Sequence, residues 1–212
     1  LCLFIPIFLS IFINIYMIIS HEHKFIFIKT RKTAGSSVES YLFPYLGKSD
    51  VCTGSPGDGT PKINTTEIDG HNGWNFVQQN FKDEFDNYFK FTIERNPWDK
   101  YVSMYYWYKH TKPKKVKNGF EHFIKNLDKL KVVDTRLYLD QQIIKVDKII
   151  KYEDLHEQFL KLPIPYNGEL LTTFKKGGVR KNKEYQSMYT EETKQIVADH
   201  STFIIDYFEY KF

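Results

Sequence analysis

Residues 24–37 constrain this chain more than any other stretch. Lys24-Phe25-Ile26-Phe27-Ile28-Lys29 is a short apolar run of aromatic and β-branched residues, the pattern of a buried strand. Small and polar residues follow at 30–35, and 36–45 then carries Val38, Tyr41, Leu42 and Tyr45 at helical spacing. A strand, a tight loop and a helix in that order open a parallel α/β sheet. Residues 89–94 (FKFTIE) and 146–152 (VDKIIKY) repeat the strand signal, and Pro97 opens a helix to about residue 108. Further helices are expected at 75–81, 119–127, 153–159 and 191–207, the last capped by Thr190. Residues 47–70, rich in Gly, Ser, Thr and Pro, read as a long surface loop, and 109–117 and 175–183 as basic loops.

The chain has 212 residues, 42% of them hydrophobic, which suits one domain with an ordinary core. The expected fold is one three-layer α/β domain over 21–212, with a central, mainly parallel sheet and a P-loop-like strand-loop-helix. A net charge of +4 falls short of the concentrated charge of a nucleic-acid-binding domain, so nucleic acid is not an expected partner. Cys2 and Cys52 give neither a disulfide framework nor a metal-ligand spacing, and His21 and His23 lack a Cys or carboxylate companion. No metal site is expected.

Residues 1–20 (LCLFIPIFLSIFINIYMIIS) are apolar and long enough to cross a bilayer. No Lys or Arg precedes them to orient a span, Met17 is a natural start, and the strand at 24 leaves almost no linker. The preferred reading is a chain that begins at Met17, with 1–16 as upstream translated sequence; the location is open, cytoplasmic on that start and membrane-anchored if residues 1–20 belong to the chain. A membrane anchor and a cleaved signal are the alternatives.

Two segments carry the chemistry. Lys32-Thr33-Ala34-Gly35-Ser36-Ser37 lies between the first strand and its helix. Small residues there let backbone N–H groups face an anion, and the helix N-terminus adds partial positive charge. Ser36 and Ser37 offer hydroxyls and Lys32 a mobile cation. Alone, the hexapeptide also reads as a turn followed by a serine cap. In the second segment Arg95 stands at the end of strand 89–94, before Pro97, with Ser103 eight residues on. Anionic ligands collect at the carboxyl ends of parallel strands, and a guanidinium fork suits a phosphate. The competing reading is that Arg95 pairs with Asp99 to cap the helix.

Together, Arg31-Lys32-Thr33-Ala34-Gly35-Ser36-Ser37 and Arg95-Asn96-Pro97-Trp98-Asp99-Lys100-Tyr101-Val102-Ser103 resemble the nucleotide-dependent sulfotransferases, particularly their carbohydrate branch. The family patterns are P-K-T-A/G-G/S-S/T-S and R-N-P-x-D/E-R/K-x-x-S, and the one departure in the first is Arg31 in place of the usual Pro. Ile149-Ile150-Lys151-Tyr152-Glu153-Asp154-Leu155 resembles the family's late strand and R-Y/F-E-N/D-L turn, and the end of the chain its closing helix.

The resemblance implies in-line sulfuryl transfer from 3′-phosphoadenosine 5′-phosphosulfate to a hydroxyl or amine, with a glycan as the expected acceptor and no metal. It places residues 31–37 on the 5′-phosphosulfate, with Lys32 neutralising the leaving bridging oxygen, and Arg95 and Ser103 on the 3′-phosphate. His71, in Gly70-His71-Asn72, is the candidate base because histidine titrates near neutrality, with Glu94 and Glu39 as rivals. Arg180 and Lys181 are expected near the 3′-phosphate, or else belong to a solvated charge run. The alternatives in other classes are a P-loop kinase or NTPase and a nucleotide-binding module without catalysis. The kinase pattern G-x-x-x-x-G-K-S/T puts Lys after the glycines, whereas Lys32 precedes Gly35.

Overall fold

The computed structural model describes residues 17–54, 61–65, 73–130, 134–168 and 184–212. Among these the strands are β1 (Met17–Ser20), β2 (Phe25–Ile28), β3 (Val51–Cys52), β4 (Phe89–Glu94), β5 (Leu139–Asp140), β6 (Ile143–Ile144) and β7 (Lys148–Lys151). The main sheet has the order β3-β1-β2-β4-β7, while β5 and β6 form a separate hairpin. β2, β4 and β7 run parallel, with Phe25 opposite Phe89 and Phe91 opposite Lys148. β1 pairs antiparallel with both β2 and β3, so the half of the sheet that carries the long crossovers is parallel and the other half is not.

Helices lie on both faces: α1 (Gly35–Leu42), α2 (Trp74–Asn80), α3 (Lys82–Asn87), α4 (Pro97–Thr111), α5 (Gly119–Ile124), α6 (Leu127–Leu130), α7 (Leu155–Phe159), α8 (Glu191–His200) and α9 (Thr202–Phe208). The period of two along β2 divides its side chains between two cores. Phe25 and Phe27 join Val38 and Leu42 of α1, Phe91 and Ile93 of β4, and Phe159 of α7. Ile26 and Ile28 join Tyr101, Met104 and Tyr105 of α4, Phe123 and Ile124 of α5, and Val197 of α8. Both faces of the strand are buried, which is why its sequence is a continuous apolar run.

The sheet takes in Met17–Ser20, four residues that the sequence reading assigned to the apolar segment before residue 21. Ile18 and Ile19 are fully buried, and the Met17 N–H donates to Thr53 Oγ1 at 2.8 Å. Their apolarity is that of a strand covered on both sides. No helix among the described residues is long and apolar enough to cross a membrane. β3 emerges from the expected loop 47–70, held by β1 and by a bridge from Cys52 to Ile63. Two residues give too short a periodic signal to read. The expected helix 191–207 is two helices, because Ser201 at φ −127° leaves the helical region. The Thr190 cap is present as a capping box, each of Thr190 and Thr193 bonding the other's backbone N–H.

Gly73, the residue before α2, presses against the turn at Thr135–Leu137. A Cβ there would lie 2.3 Å from the Leu137 carbonyl oxygen and 2.4 Å from its Cα. Backbone cannot rotate aside as a side chain can, so Gly73→Ala is expected to cost about 1–3 kcal/mol. Chemical denaturation measures it, and an unchanged midpoint would show that the two segments separate freely.

Candidate active site

After β2 the chain turns back over the end of β4. Thr30 Oγ1 donates to the Ile93 carbonyl, and Thr33 Oγ1 donates to the Thr30 carbonyl at 3.1 Å. Lys32 and Ala34 have φ of 61° and 62°, the left-handed conformation that costs non-glycine residues about 1 kcal/mol or more each. Ala34 is the residue before α1 and supplies no side-chain cap, while its carbonyl accepts the Ser37 N–H at 2.8 Å. Ser37 is buried, and Ser36 Oγ accepts from Lys29 Nζ at 3.1 Å. Lys29 is the last cation before the loop and pairs with the buried Glu39 of α1. A Cβ on Gly35 would sit 2.4 Å from Lys29 Cγ, so only glycine leaves room for that side chain to reach Ser36 and Glu39.

The second segment meets this loop directly. Arg95 follows β4, and its Nη1 donates to the Lys32 carbonyl at 3.1 Å. Its Nε donates to Asp99 Oδ2 at 2.6 Å, with Nη2 against the same carboxylate oxygen, and the guanidinium lies 4.3 Å from the Tyr152 ring centre. Three of five N–H donors are thereby engaged, leaving one on each terminal nitrogen. Capping of α4 falls to Asn96, whose side chain accepts from the Trp98 and Asp99 N–H groups. Arg95 therefore pairs with Asp99, as the competing sequence reading expected, without doing the capping. The Asn96 N–H in turn donates to Glu153 Oε1 at 2.8 Å, and Tyr210 donates its hydroxyl to Glu153 Oε2 at 2.6 Å.

Asp99, Ser103 and Trp107 recur every four residues along α4 and share a face. Asp99 holds Arg95, and the Lys32 ammonium lies 5.8 Å from the Trp107 ring centre. That face looks onto the loop, with half-buried Ser103 at its middle. Of the residues singled out in the sequence, 31–37, Arg95 and Ser103 thus come together in space. His71, Arg180 and Lys181 lie outside the described residues. Glu39, a rival base, is fully buried against Lys29. Among the described residues no cluster of three or more His, Cys, Asp or Glu could hold a metal ion.

Beneath the site is a set of charges that sequence reasoning missed. Glu94, the other rival base, places Oε2 at 2.8 Å from Lys100 Nζ and accepts the Tyr138 hydroxyl on Oε1 at 3.0 Å. Lys100 Nζ also lies 3.1 Å from Asp134 Oδ2, and all three side chains are buried. Burial pushes the Glu94 carboxyl above its usual range against the pull of Lys100. Burial would also raise Asp134, but Lys100 and Arg31 more than reverse this and hold it below the usual range. No spacing rule links 94, 100 and 134; only the fold brings them together.

Lys100→Met leaves two buried carboxylates facing each other and is expected to cost about 3–5 kcal/mol near pH 8. Glu94 is already raised in the folded state and rises further without its cation. A raised carboxyl stabilises most below its unfolded value and loses that contribution as pH climbs through its folded value. The penalty should therefore be smaller at pH 5 than at pH 8, because falling pH favours protonation of Glu94. Denaturant titrations at the two pH values check this; equal losses would mean that Lys100 does not govern the ionisation of Glu94.

No curated protein and no solved structure matches the chain. The model of the Sulfotransferase family matches residues 16–207, spanning the loop 31–37, Arg95, Ser103 and β7. On that match, which covers nearly the whole chain and the strand-loop-helix just described, this protein belongs to the sulfotransferase family, whose chemistry is the transfer of sulfuryl groups.

Proposed function

We propose that the chain transfers a sulfuryl group from 3′-phosphoadenosine 5′-phosphosulfate to a hydroxyl or amine, with a carbohydrate as the acceptor. The hydrogen bond from Arg95 Nη1 to the Lys32 carbonyl at 3.1 Å carries this reading, because it joins two anion-facing segments into one pocket with a cation from each. A donor with phosphate groups at both ends of a ribose needs two such sites at a fixed separation.

The residues fit that donor. The uncapped α1 N-terminus and the left-handed turns at Lys32 and Ala34 support a 5′-phosphosulfate subsite built from residues 31–37. The two remaining Arg95 donors and the Ser103 hydroxyl support a 3′-phosphate subsite. When bound, the donor supplies an activated sulfuryl group on an anhydride oxygen. Lys32 is assigned to the charge that develops on that oxygen as it leaves, and a cation held in place beforehand needs no reorganisation at that moment. His71 is assigned as the base that takes the acceptor proton. Arg180 and Lys181 are assigned to the 3′-phosphate side. The basic, aromatic-flanked end of α4, where Lys112 lies 5.9 Å from the ring centres of Trp107 and Tyr108, suits a polar acceptor with anionic groups.

Calorimetry with adenosine 3′,5′-bisphosphate, beside ATP with Mg²⁺, tests the donor assignment on the intact chain. Micromolar binding of the bisphosphate is expected. Arg95→Ala should weaken it by about 2 kcal/mol or more, roughly 30-fold, as a charged hydrogen-bond pair is lost. Lys32→Ala should also weaken it. Tighter binding of ATP with Mg²⁺, or no bisphosphate binding, would overturn the donor and return the site to the kinase reading.

A further inference from the structure

Asp134 belongs to neither anion-facing segment and lies 103 residues beyond Arg31, yet it reaches the same loop. Its side chain is fully buried, and Oδ2 accepts the Arg31 backbone N–H at 2.8 Å while Oδ1 lies 3.6 Å from Arg31 Nε. Oδ2 also faces Lys100 Nζ at 3.1 Å, and Lys100 is held at 2.8 Å by Glu94. Tyr138, one turn after Asp134, closes the ring of contacts by donating to Glu94. The carboxylate is therefore held by Lys100 as well as by the loop.

What it fixes is the entry to the left-handed turn. Arg31 precedes Lys32, whose φ is 61° and whose carbonyl takes the Arg95 bond. Asp134 thus restrains the N–H on one side of Lys32, and Arg95 the carbonyl on the other. The family pattern usually has proline at the position of Arg31, and proline restrains φ through its ring and has no N–H to donate. Here the N–H is present, and a buried carboxylate takes it.

We propose that Asp134 is a positioning residue for donor binding, which holds the 5′-phosphosulfate loop in its anion-binding shape through the Arg31 N–H. This rests on the donor reading above. It divides the site into a 3′ side held by Arg95 and a 5′ side whose geometry depends on Asp134.

Adenosine 3′-monophosphate reports the first side alone, and adenosine 3′,5′-bisphosphate reports both. Asp134→Ala is expected to weaken the bisphosphate about tenfold, the effect of a lost charge-assisted hydrogen bond. It should leave the 3′-monophosphate within about twofold, as for an independent site. Asp134→Asn keeps an acceptor for the N–H in the same volume and should bind the bisphosphate within about threefold of the parent. Equal weakening of both nucleotides by Asp134→Ala, or weakening of neither, overturns the proposal. So does an Asp134→Asn variant as weak as Asp134→Ala. Should Asp134→Ala fail to fold, Asp134→Asn decides, and loss of its bisphosphate binding overturns the proposal. A parent protein that binds no bisphosphate sinks the donor reading instead, so the two failures are distinct.

Discussion

A loop that holds non-glycine residues left-handed must have its shape imposed by its surroundings. The loop after β2 is gripped at four points. Thr30 reaches the backbone of β4, the Arg31 N–H goes to Asp134, the Lys32 carbonyl takes Arg95, and Thr33 folds back on Thr30. These four ties hold two non-glycine residues left-handed. The rest of the architecture serves them, because each partner stands at the end of a strand or on a turn that the parallel half of the sheet fixes.

The buried charges follow from the same demand. Asp134 can anchor the loop only if it stays ionised away from water, which requires a cation beside it. Lys100 provides that cation, and Glu94 with Tyr138 completes its coordination. Glu94 then sits too deep, and is too committed to Lys100, to serve as a base, although it directly precedes Arg95 in sequence. A glutamate at a strand end is more often a structural partner than a base, and the burial and bonds of Glu94 suit that role.

How much of this was legible in the sequence divides along physical lines. The strand at 25–28 announced itself because a strand buried on both faces is apolar throughout, the strand at 89–94 by its alternation, and Pro97 announced α4. The anion-facing segments were readable because their residues are adjacent in the chain. Asp134, Tyr152 and Glu153 were not assigned roles, since each acts by contact across the fold. Tyr152 and Glu153 sit within a recognised stretch, yet nothing in it says that one stacks on Arg95 while the other holds the Asn96 N–H. β1 was hidden for a different reason: four strand residues continue a longer apolar run, and hydropathy alone cannot separate a buried strand from a membrane segment.

Aromatic residues make up 17% of the chain, and the site explains part of that share. A cation intended for a ligand must be held still, but a carboxylate close enough to hold it also cancels the charge the ligand is to meet. A ring face orients a cation through its quadrupole and carries no net charge. Arg95 uses both means, with Asp99 at one edge and the Tyr152 ring against its plane, so two donors stay directed outward. Lys32 lies near the face of Trp107, and Lys112 near the same ring, which brings positive charge from two elements to one aromatic platform. Replacing that indole with an acidic residue would hold the lysines more tightly and leave them with less to offer an anionic donor.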